Sequence, residues 1–272
     1  MRCLYLDLDA TLLGHRGSLM HDGEGTVSML GVRAIEACLR ADVEVVLMSG
    51  RRKESVAIPA RLFGQRSYIF EVGSCLVLDG EEQWLTGGLL PGEDGSVFDQ
   101  ITASGAPALL LDRYAGRLEY HDPWHAGREV SHLFRGEVDA FEADELLVAH
   151  GHDGLRLVDN GDIGGAVRSM PELTEPHVYH LLPAGASKAR GVLAHMRARG
   201  LRPQDCVAIG DSREDLSVAP HVGTTWLVAN AVERDPRIRE AIAGLDGTVR
   251  IAEAGYGAGV YEAVVTTLAE RR

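Results

Sequence analysis

Two carboxylates at the start of the sequence are spaced for joint chemistry. Asp7 and Asp9 follow residues 2–6, an apolar run that is too short for a helix and predicts a buried strand. In an extended chain, side chains two residues apart project to the same side, so these two carboxylates repel each other. Such a pair serves a metal ion or divides into an acid and a nucleophile. A solvated acidic turn is the alternative that the pair alone leaves open.

A second acidic group follows another apolar run, residues 206–209. Asp211 stands where this predicted strand ends, and Asp215 lies one turn later if a helix begins there. Gly210 lets the backbone turn tightly beside a ligand. Open α/β sheets bind ligands beyond the carboxyl ends of their strands, so all four carboxylates are expected near one sheet edge. Oxygen ligands of this kind favour Mg²⁺.

Two further segments offer partners for an anion. Ser49 and Gly50 follow a third predicted strand, where Ser49 could donate a hydrogen bond to an anionic oxygen, although Ser-Gly-Arg is also an ordinary turn. Lys188 begins a helix that is predicted between Ser187 as N-cap and Gly200 as C-cap. The helix dipole disfavours a lysine there by about 0.3–1 kcal/mol, yet with free amides it forms an anion site. A lysine that bends into solvent is the other interpretation.

The alternation of predicted strands and helices along the chain indicates its division into domains. Residues 1–80 and 184–272 alternate in the manner of a doubly wound parallel α/β sheet. Residues 81–183 are predicted to form an inserted α+β domain, in which 109–111 and 146–148 are interpreted as short β pieces. A chain of 272 residues is long enough for a core domain with such an insertion.

Composition excludes several function classes. The formal net charge of −13 argues against nucleic-acid binding and requires a local cation or metal for any anionic substrate. No apolar run approaches the roughly 20 residues that span a bilayer. The four cysteines are scattered and are predicted to be buried apolar residues in the reducing cytoplasm; they are Cys3, Cys38, Cys75 and Cys206. The sequence contains no feature that indicates the oligomeric state.

Taken together, the motifs resemble the haloacid dehalogenase superfamily, whose usual pattern is DxDx(T/V), then Ser or Thr, then Lys, then GDxxxD. The matching residues are Asp7-Leu8-Asp9-Ala10-Thr11, Ser49, Lys188, and Asp211 with Asp215. Alanine at position 10 is a departure, because glycine is commoner there. The resemblance implies a Rossmann-like core that hydrolyses small phosphorylated metabolites with Mg²⁺.

Roles for individual residues also follow from the resemblance. Asp7 would be the nucleophile that takes the phosphoryl group, and Asp9 the general acid and base. Ser49, Gly50 and Lys188 would bind the phosphoryl oxygens. The Mg²⁺ ligands would be Asp7, the backbone carbonyl of Asp9, and Asp211, with Asp215 nearby.

The position of the insertion resembles the Cof-like and sugar-phosphatase branch, which includes enzymes similar to mannosyl-3-phosphoglycerate phosphatase and sucrose phosphatase. A sugar or polyol phosphate is therefore the expected substrate. Residues 70–74 stand where such relatives carry Glu-Asn-Gly, and Val72 removes the amide. Arg156, placed in a polar cap turn with Asp159 and Asn160, and His177 and His180 are candidate substrate contacts, on loop position alone. A phosphomutase and a catalytically silent binding protein are the alternatives.

Overall fold

The structure is a computed structural model that describes residues 1–93, 95–163, 165–235 and 237–270. The chain divides into two compact units, one formed by Met1–Gln83 with Ser187–Arg272 and the other by Trp84–Ala186. The strands, in chain order, are β1 (Cys3–Leu6), β2 (Glu44–Met48), β3 (Tyr68–Phe70), β4 (Cys75–Leu78), β5 (Glu81–Trp84), β6 (Leu118–Tyr120), β7 (His132–Gly136), β8 (Leu155–Asp162), β9 (His177–Pro183), β10 (Cys206–Gly210), β11 (Thr224–Leu227) and β12 (Val249–Ile251). The α-helices are α1 (Leu30–Arg40), α2 (Lys53–Leu62), α3 (Val97–Ala103), α4 (Ala106–Arg113), α5 (Ala140–Ala149), α6 (Lys188–Arg199), α7 (Arg213–Leu216), α8 (Ala229–Arg234), α9 (Ile238–Ala243) and α10 (Tyr256–Glu270).

An eight-stranded sheet forms the centre of the first unit, in the order β12-β11-β10-β1-β2-β3-β4-β5. The six strands from β12 to β3 are parallel, and β4 pairs antiparallel with β3. β1 and β10 are buried along their whole length, as expected of parallel strands covered on both faces. This architecture confirms the predicted doubly wound α/β core.

The strand order reverses at β1, which lies between β2 and β10. Ligands of open α/β sheets bind at such a switch point, in the crevice beyond the carboxyl ends of the strands. Asp7 directly follows β1, and Asp211 directly follows β10. The topology therefore brings the two acidic motifs, about 200 residues apart in sequence, to neighbouring positions at one edge of the sheet.

The second unit contains a four-stranded antiparallel sheet in the order β6-β7-β9-β8, with α3, α4 and α5. This confirms the predicted α+β class of the insertion. Two of its predicted strands were wrong, because 109–111 lies in α4 and 146–148 lies in α5. The buried residues of these helices include Ala106 with Leu110 and Ala143 with Leu147. This spacing of four is helical, and an interpretation based on the two apolar triplets alone omits the alanines.

The polar turn predicted at Arg156, Asp159 and Asn160 was also wrong, since all three residues belong to β8. The pairing of β8 with β9 becomes irregular between Asp159 and Asp162, where Gly161 has a φ of +93°. The polar residues therefore mark an irregular strand end. Among the described residues, no helix has both the length and the apolar composition that a bilayer crossing requires.

Candidate active site

A buried lysine joins two of the predicted acidic residues. The Nζ of Lys188 lies 2.7 Å from Asp7 Oδ1 and 2.7 Å from Asp215 Oδ1, and it donates a hydrogen bond to each. Lys188 is 2% exposed, Asp7 is 4% exposed and Asp215 is fully buried. Because a buried ion without a partner is strongly disfavoured, each charge here depends on the others for its place in the core. Lys188 therefore does not bend into solvent.

Local capping explains why Lys188 is held at this point. Ser187 caps α6 by accepting a hydrogen bond from the Arg190 amide, and Gly200 ends the helix with a φ of +61°, both as predicted. The Lys188 amide donates to Glu214 Oε1 at 3.2 Å, so a carboxylate already uses this donor of the helix N-terminus. The helix start thus fixes the lysine backbone while its side chain reaches the end of β1.

Asp215 and Asp211 are positioned by the turn after β10. Asp215 Oδ2 accepts hydrogen bonds from the Asp211 amide and from the amide and hydroxyl of Ser212, in a capping box of α7. A Cβ on Gly210 would lie 2.2 Å from the Asp215 carboxyl carbon, so this close approach requires glycine. Asp211 accepts hydrogen bonds from the Thr11 hydroxyl and from Arg234.

The electrostatics of the cluster favour the arrival of a cation. Burial and the Asp215 charge raise the pKa of Asp211 to about 7. Burial also raises the pKa of Asp7 well above its ordinary value, with Asp215 and Asp211 contributing, while Lys188 acts in the opposite direction. For Lys188, burial disfavours the ammonium, but the carboxylates of Asp215 and Asp7 outweigh burial and raise its pKa.

Three of these carboxylates are arranged as a metal site. One oxygen each from Asp7, Asp211 and Asp215 lie within 4.8 Å of one another. When all three are ionised, the three carboxylates outnumber their two cationic partners, the Lys188 ammonium and the Arg234 guanidinium on Asp211, so a net negative charge remains that favours a cation. An oxygen-only donor set suits Mg²⁺. The residues present therefore fit the predicted ion.

Asp9 lies in a different environment from Asp7. Its side chain is 55% exposed, and Arg51 holds it through two hydrogen bonds, with Nε 2.7 Å from Asp9 Oδ2. Asp9 is therefore separate from the buried carboxylate group. Its place at the end of the same strand as Asp7 is the one that the sequence predicted.

Ser49 and Gly50 lie in the segment that follows β2. Ser49 is 1% exposed, and its hydroxyl accepts a hydrogen bond from the Arg51 amide at 3.2 Å. Its own amide donates to Ile69 at the neighbouring strand β3. The backbone at Ser49 is thereby fixed beside the end of β1, and Gly50 is half-buried in the same turn.

Comparison with known proteins shows which family this chain is similar to. A model of the haloacid dehalogenase-like hydrolases matches residues 168–238, a stretch that contains Lys188, Asp211 and Asp215. The remaining motifs stand at the ends of β1 and β2, in the order that the resemblance requires. The chain is similar to the haloacid dehalogenase-like hydrolases over the stretch that their model matches. The predicted enzyme class is confirmed as well, since the relatives similar to this hydrolase along most of its length are phosphatases.

Two curated relatives illustrate that similarity. This hydrolase is 25% identical over 279 residues to a phosphoglycolate phosphatase of Methanoculleus marisnigri, covering 97% of this chain and 95% of the relative. It is 29% identical over 246 residues to a phosphoglycolate phosphatase of Halorubrum lacusprofundi, covering 88% and 87%. A solved sucrose-phosphatase from a Synechocystis species shares the fold, with a TM-score of 0.62, 14% identity and 98% coverage of both chains.

Several residues of this site were not singled out from the sequence. Arg51 pairs with Asp9, and Asn230 donates to the Ala10 carbonyl at 2.8 Å. Arg51 directly follows Ser49 and Gly50, so its position offered a signal. Thr11 matches the family pattern, and the structure adds that its hydroxyl donates to Asp211. Asn230 lies 220 residues from Ala10 in a helix without a motif, and only the folded hydrolase reveals its role.

The candidate substrate residues of the insertion lie in the second unit. Arg156 on β8 donates to the Ala186 carbonyl at 2.7 Å. His177 on β9 pairs with the Asp159 carboxylate at 2.8 Å, which raises the pKa of the imidazole. His180 is 2% exposed and lies 3.2 Å from the Ser131 hydroxyl. Substrate contact by these residues stays a prediction.

Proposed function

We propose that this hydrolase is a Mg²⁺-dependent phosphatase that cleaves a small phosphorylated metabolite through an aspartyl-phosphate at Asp7. The observation that carries the proposal is the buried group of Asp7, Lys188, Asp211 and Asp215 at the switch point of the sheet. Phosphoryl transfer depends mostly on positioning and on neutralising charge around the phosphoryl oxygens. A lysine ammonium and a divalent cation beside one carboxylate supply that neutralisation.

The proposed reaction has two steps at the same carboxylate. Asp7 attacks phosphorus, the bond to the leaving oxygen breaks, and Asp9 gives that oxygen a proton. Water then attacks the aspartyl-phosphate while Asp9 takes the proton back, which releases inorganic phosphate and regenerates Asp7. Lys188, Ser49 and Gly50 hold the phosphoryl oxygens. Mg²⁺ bound by Asp7, Asp211 and the Asp9 carbonyl, with Asp215 nearby, supplies further charge neutralisation.

For the substrate, we infer a small phosphorylated metabolite and rank two classes for testing. Phosphoglycolate comes first because the curated relatives that cover most of this chain carry that activity in their names. Sugar and polyol phosphates come second, supported by the fold shared with a sucrose-phosphatase. A generic aryl phosphate serves as the reference substrate, since its hydrolysis needs no specific recognition of the leaving group.

The test is release of inorganic phosphate by the purified protein, with and without Mg²⁺. We expect Mg²⁺-dependent release, and a loss of about 10⁴–10⁶-fold in Asp7→Asn, because an amide does not form the phosphoenzyme. Asp42→Asn is the matched control, since Asp42 is exposed in the turn after α1 and should keep full activity. Retention of more than a few per cent of the wild-type rate in Asp7→Asn would refute the nucleophile. Transfer of phosphate to a second substrate position without release would instead indicate a phosphomutase.

A further inference from the structure

A second cluster of potential metal ligands lies at the opposite end of the core strands. Cys206, Cys3 and Glu44 are the first residues of the neighbouring strands β10, β1 and β2. They are in register, with Cys3 aligned to Cys206 on one side and to Glu44 on the other. Neighbouring strands lie about 4.8 Å apart, and aligned residues project to the same face. Two thiols and a carboxylate therefore form one row across three strands.

Helix α6 places an imidazole over this row. His195 is fully buried, and its Nε2 lies 3.3 Å from Glu44 Oε1. One ligand atom each from Cys3, Glu44 and His195 lie within 4.8 Å of one another. Cys206 is fully buried as well and is aligned with Cys3, and burial together with the Cys206 thiol raises the pKa of the Cys3 thiol. The row and the helix together present two sulfurs, one nitrogen and one oxygen.

This donor set suits zinc. Structural zinc sites are four-coordinate and tetrahedral, with ligands drawn from cysteine, histidine and carboxylate. For metal–ligand distances of 2.0–2.2 Å, a tetrahedral site places a nitrogen and an oxygen about 3.4 Å apart. The separation between His195 Nε2 and Glu44 Oε1 is 3.3 Å. The imidazole is therefore already at a coordinating separation from the carboxylate.

The surroundings complete such a site. Histidine ligands usually have their second nitrogen held by a neighbour, and His195 Nδ1 lies 2.9 Å from the Tyr5 hydroxyl. Arg199 donates to Glu44 at 3.1 Å. Two thiolates and a carboxylate carry three negative charges, of which a divalent ion balances two, and the Arg199 guanidinium, which also pairs with Asp79, lies beside the carboxylate.

We propose that Cys3, Cys206, His195 and Glu44 bind one zinc ion, in a structural site distinct from the carboxylate group of the active site. Binding requires both thiols to lose their protons to solvent, since thiolate is the coordinating form. The ion would join the amino ends of β10, β1 and β2 to α6, the helix that also carries Lys188. A metal-free histidine–glutamate pair beside two neutral thiols is the competing arrangement.

The test measures the zinc content and zinc affinity of the full-length protein. We expect one zinc per chain after chelator treatment, reloading with zinc alone and removal of the excess, and release of about two protons on binding. Cys3→Ser, Cys206→Ser and Glu44→Gln should each weaken zinc binding by about 10–100-fold or more. Cys38→Ser is the matched control, because Cys38 is a buried free cysteine of α1 outside the cluster. Asp211→Asn should also retain the zinc, which separates this site from the active site.

Wild-type protein provides an independent measurement if a cysteine variant does not fold. X-ray absorption of the zinc-loaded protein should show two sulfur neighbours, and Co²⁺ substitution should produce thiolate-to-metal charge-transfer absorption. The proposal is overturned if the wild-type protein retains no zinc, or if Cys3→Ser and Cys206→Ser bind it as well as Cys38→Ser does. Coordination by oxygen and nitrogen alone, or a Cys3–Cys206 disulfide in the purified protein, would overturn it too.

Discussion

Asp7 and Asp9 lie two positions apart in sequence but in contrasting surroundings. Asp7 is buried against Lys188, whereas Asp9 is exposed and bound by Arg51. Both Asp9 oxygens accept hydrogen bonds from Arg51, so an acid role for Asp9 requires Arg51 to release it when substrate binds. The two environments separate the role of the nucleophile from that of the acid.

The acid role of Asp9 predicts a dependence on the leaving group. Asp9→Asn keeps the backbone carbonyl and removes the titrating group, so alkyl phosphate hydrolysis should fall by about 10²–10⁴-fold. The loss should be smaller for an aryl phosphate, whose leaving group needs no proton. Steady-state rates on both substrates check this expectation. An equal loss on both would show that Asp9 does not donate the proton.

Ala10 predicts a gain in stability. Its φ of +58° lies in the left-handed region, where a Cβ costs about 1–2 kcal/mol. The structural reason for the commoner glycine is thus backbone conformation and not side-chain size. Ala10→Gly should raise the free energy of unfolding by about 0.5–1 kcal/mol after the entropy of glycine is counted. Denaturant unfolding measures this.

An alanine-to-glycine substitution within a helix serves as the control for the Ala10→Gly prediction. Ala194 lies in the interior of α6 and is half-buried, so Ala194→Gly should lower the free energy of unfolding by at least about 0.5–1 kcal/mol. If both glycine variants were destabilised equally, the strain at Ala10 would not exist.

At the scale of elements, the loop after β3 supports the start of α6. Glu71, Val72 and Gly73 all have positive φ, of +45°, +57° and +83°. Val72 is fully buried, so an apolar side chain stands where the family resemblance led us to expect an amide. The loop passes so close to α6 that a Cβ on Gly73 would lie 1.9 Å from the Ser187 carbonyl oxygen. The backbone of this loop thereby sets the position of Lys188.

Gly73→Ala should therefore damage catalysis through Lys188. The added methyl must displace Ser187 or the loop, so we expect a loss of at least about 10²-fold in kcat, along with reduced stability. Gly64→Ala is the matched control, because Gly64 has a φ of +73° but a Cβ there would meet no atom of the described residues within 4 Å. Both variants carry the same backbone strain. If the Gly73→Ala and Gly64→Ala variants were equally active, the Gly73 loop would not control catalysis.

On the scale of the whole molecule, charge is unevenly distributed. The protein carries a formal net charge of −13, and three carboxylates are concentrated in one buried group. Burial, and then repulsion by Asp215, raise the pKa of Asp211 from 3.8 to about 7. A divalent cation relieves this repulsion, so metal binding, charge and stability are linked.

This linkage predicts a pH dependence of stability. Because the folded-state pKa of Asp211 is above its unfolded value, its contribution is fully present below about pH 4 and is lost as pH rises through about 7. Without metal, the stability of wild-type protein relative to Asp211→Asn should therefore fall between about pH 4 and pH 7. Mg²⁺ should restore it at the higher pH. Unfolding free energies of both proteins measure the difference, and a difference that did not vary with pH would contradict the shifted pKa.

The second unit predicts where substrate selection lies. If it selects the substrate, Arg156→Ala and His177→Ala should raise KM for the true substrate several-fold and leave an aryl phosphate nearly unaffected. Arg113→Ala serves as control, since Arg113 is an exposed arginine of α4 in the same unit. Steady-state kinetics on both substrates test the expectation. Unchanged KM values in both variants would show that Arg156 and His177 do not take part in substrate recognition.

The sequence alone determined the fold class, the resemblance to a hydrolase family and the elements that carry the motifs. Residue spacing and helix capping predict features that depend only on local sequence. These features are the short buried strands, the capped helix at Lys188 and the acidic residues at strand ends. The same rules failed at 109–111 and 146–148, because a short apolar run fits a buried strand or a helix face equally well.

Only the tertiary structure decided which of these residues meet. The contact of Lys188 with Asp7 and Asp215, the pairing of Arg51 with Asp9, and the row of Cys3 with Cys206 and Glu44 join distant parts of the chain. The registers of β1 with β10 and β2 create them, and register depends on the packing of whole strands and helices. Burial then sets the charge state of each group, because the cost of an ion depends on its three-dimensional surroundings and not on its neighbours in sequence.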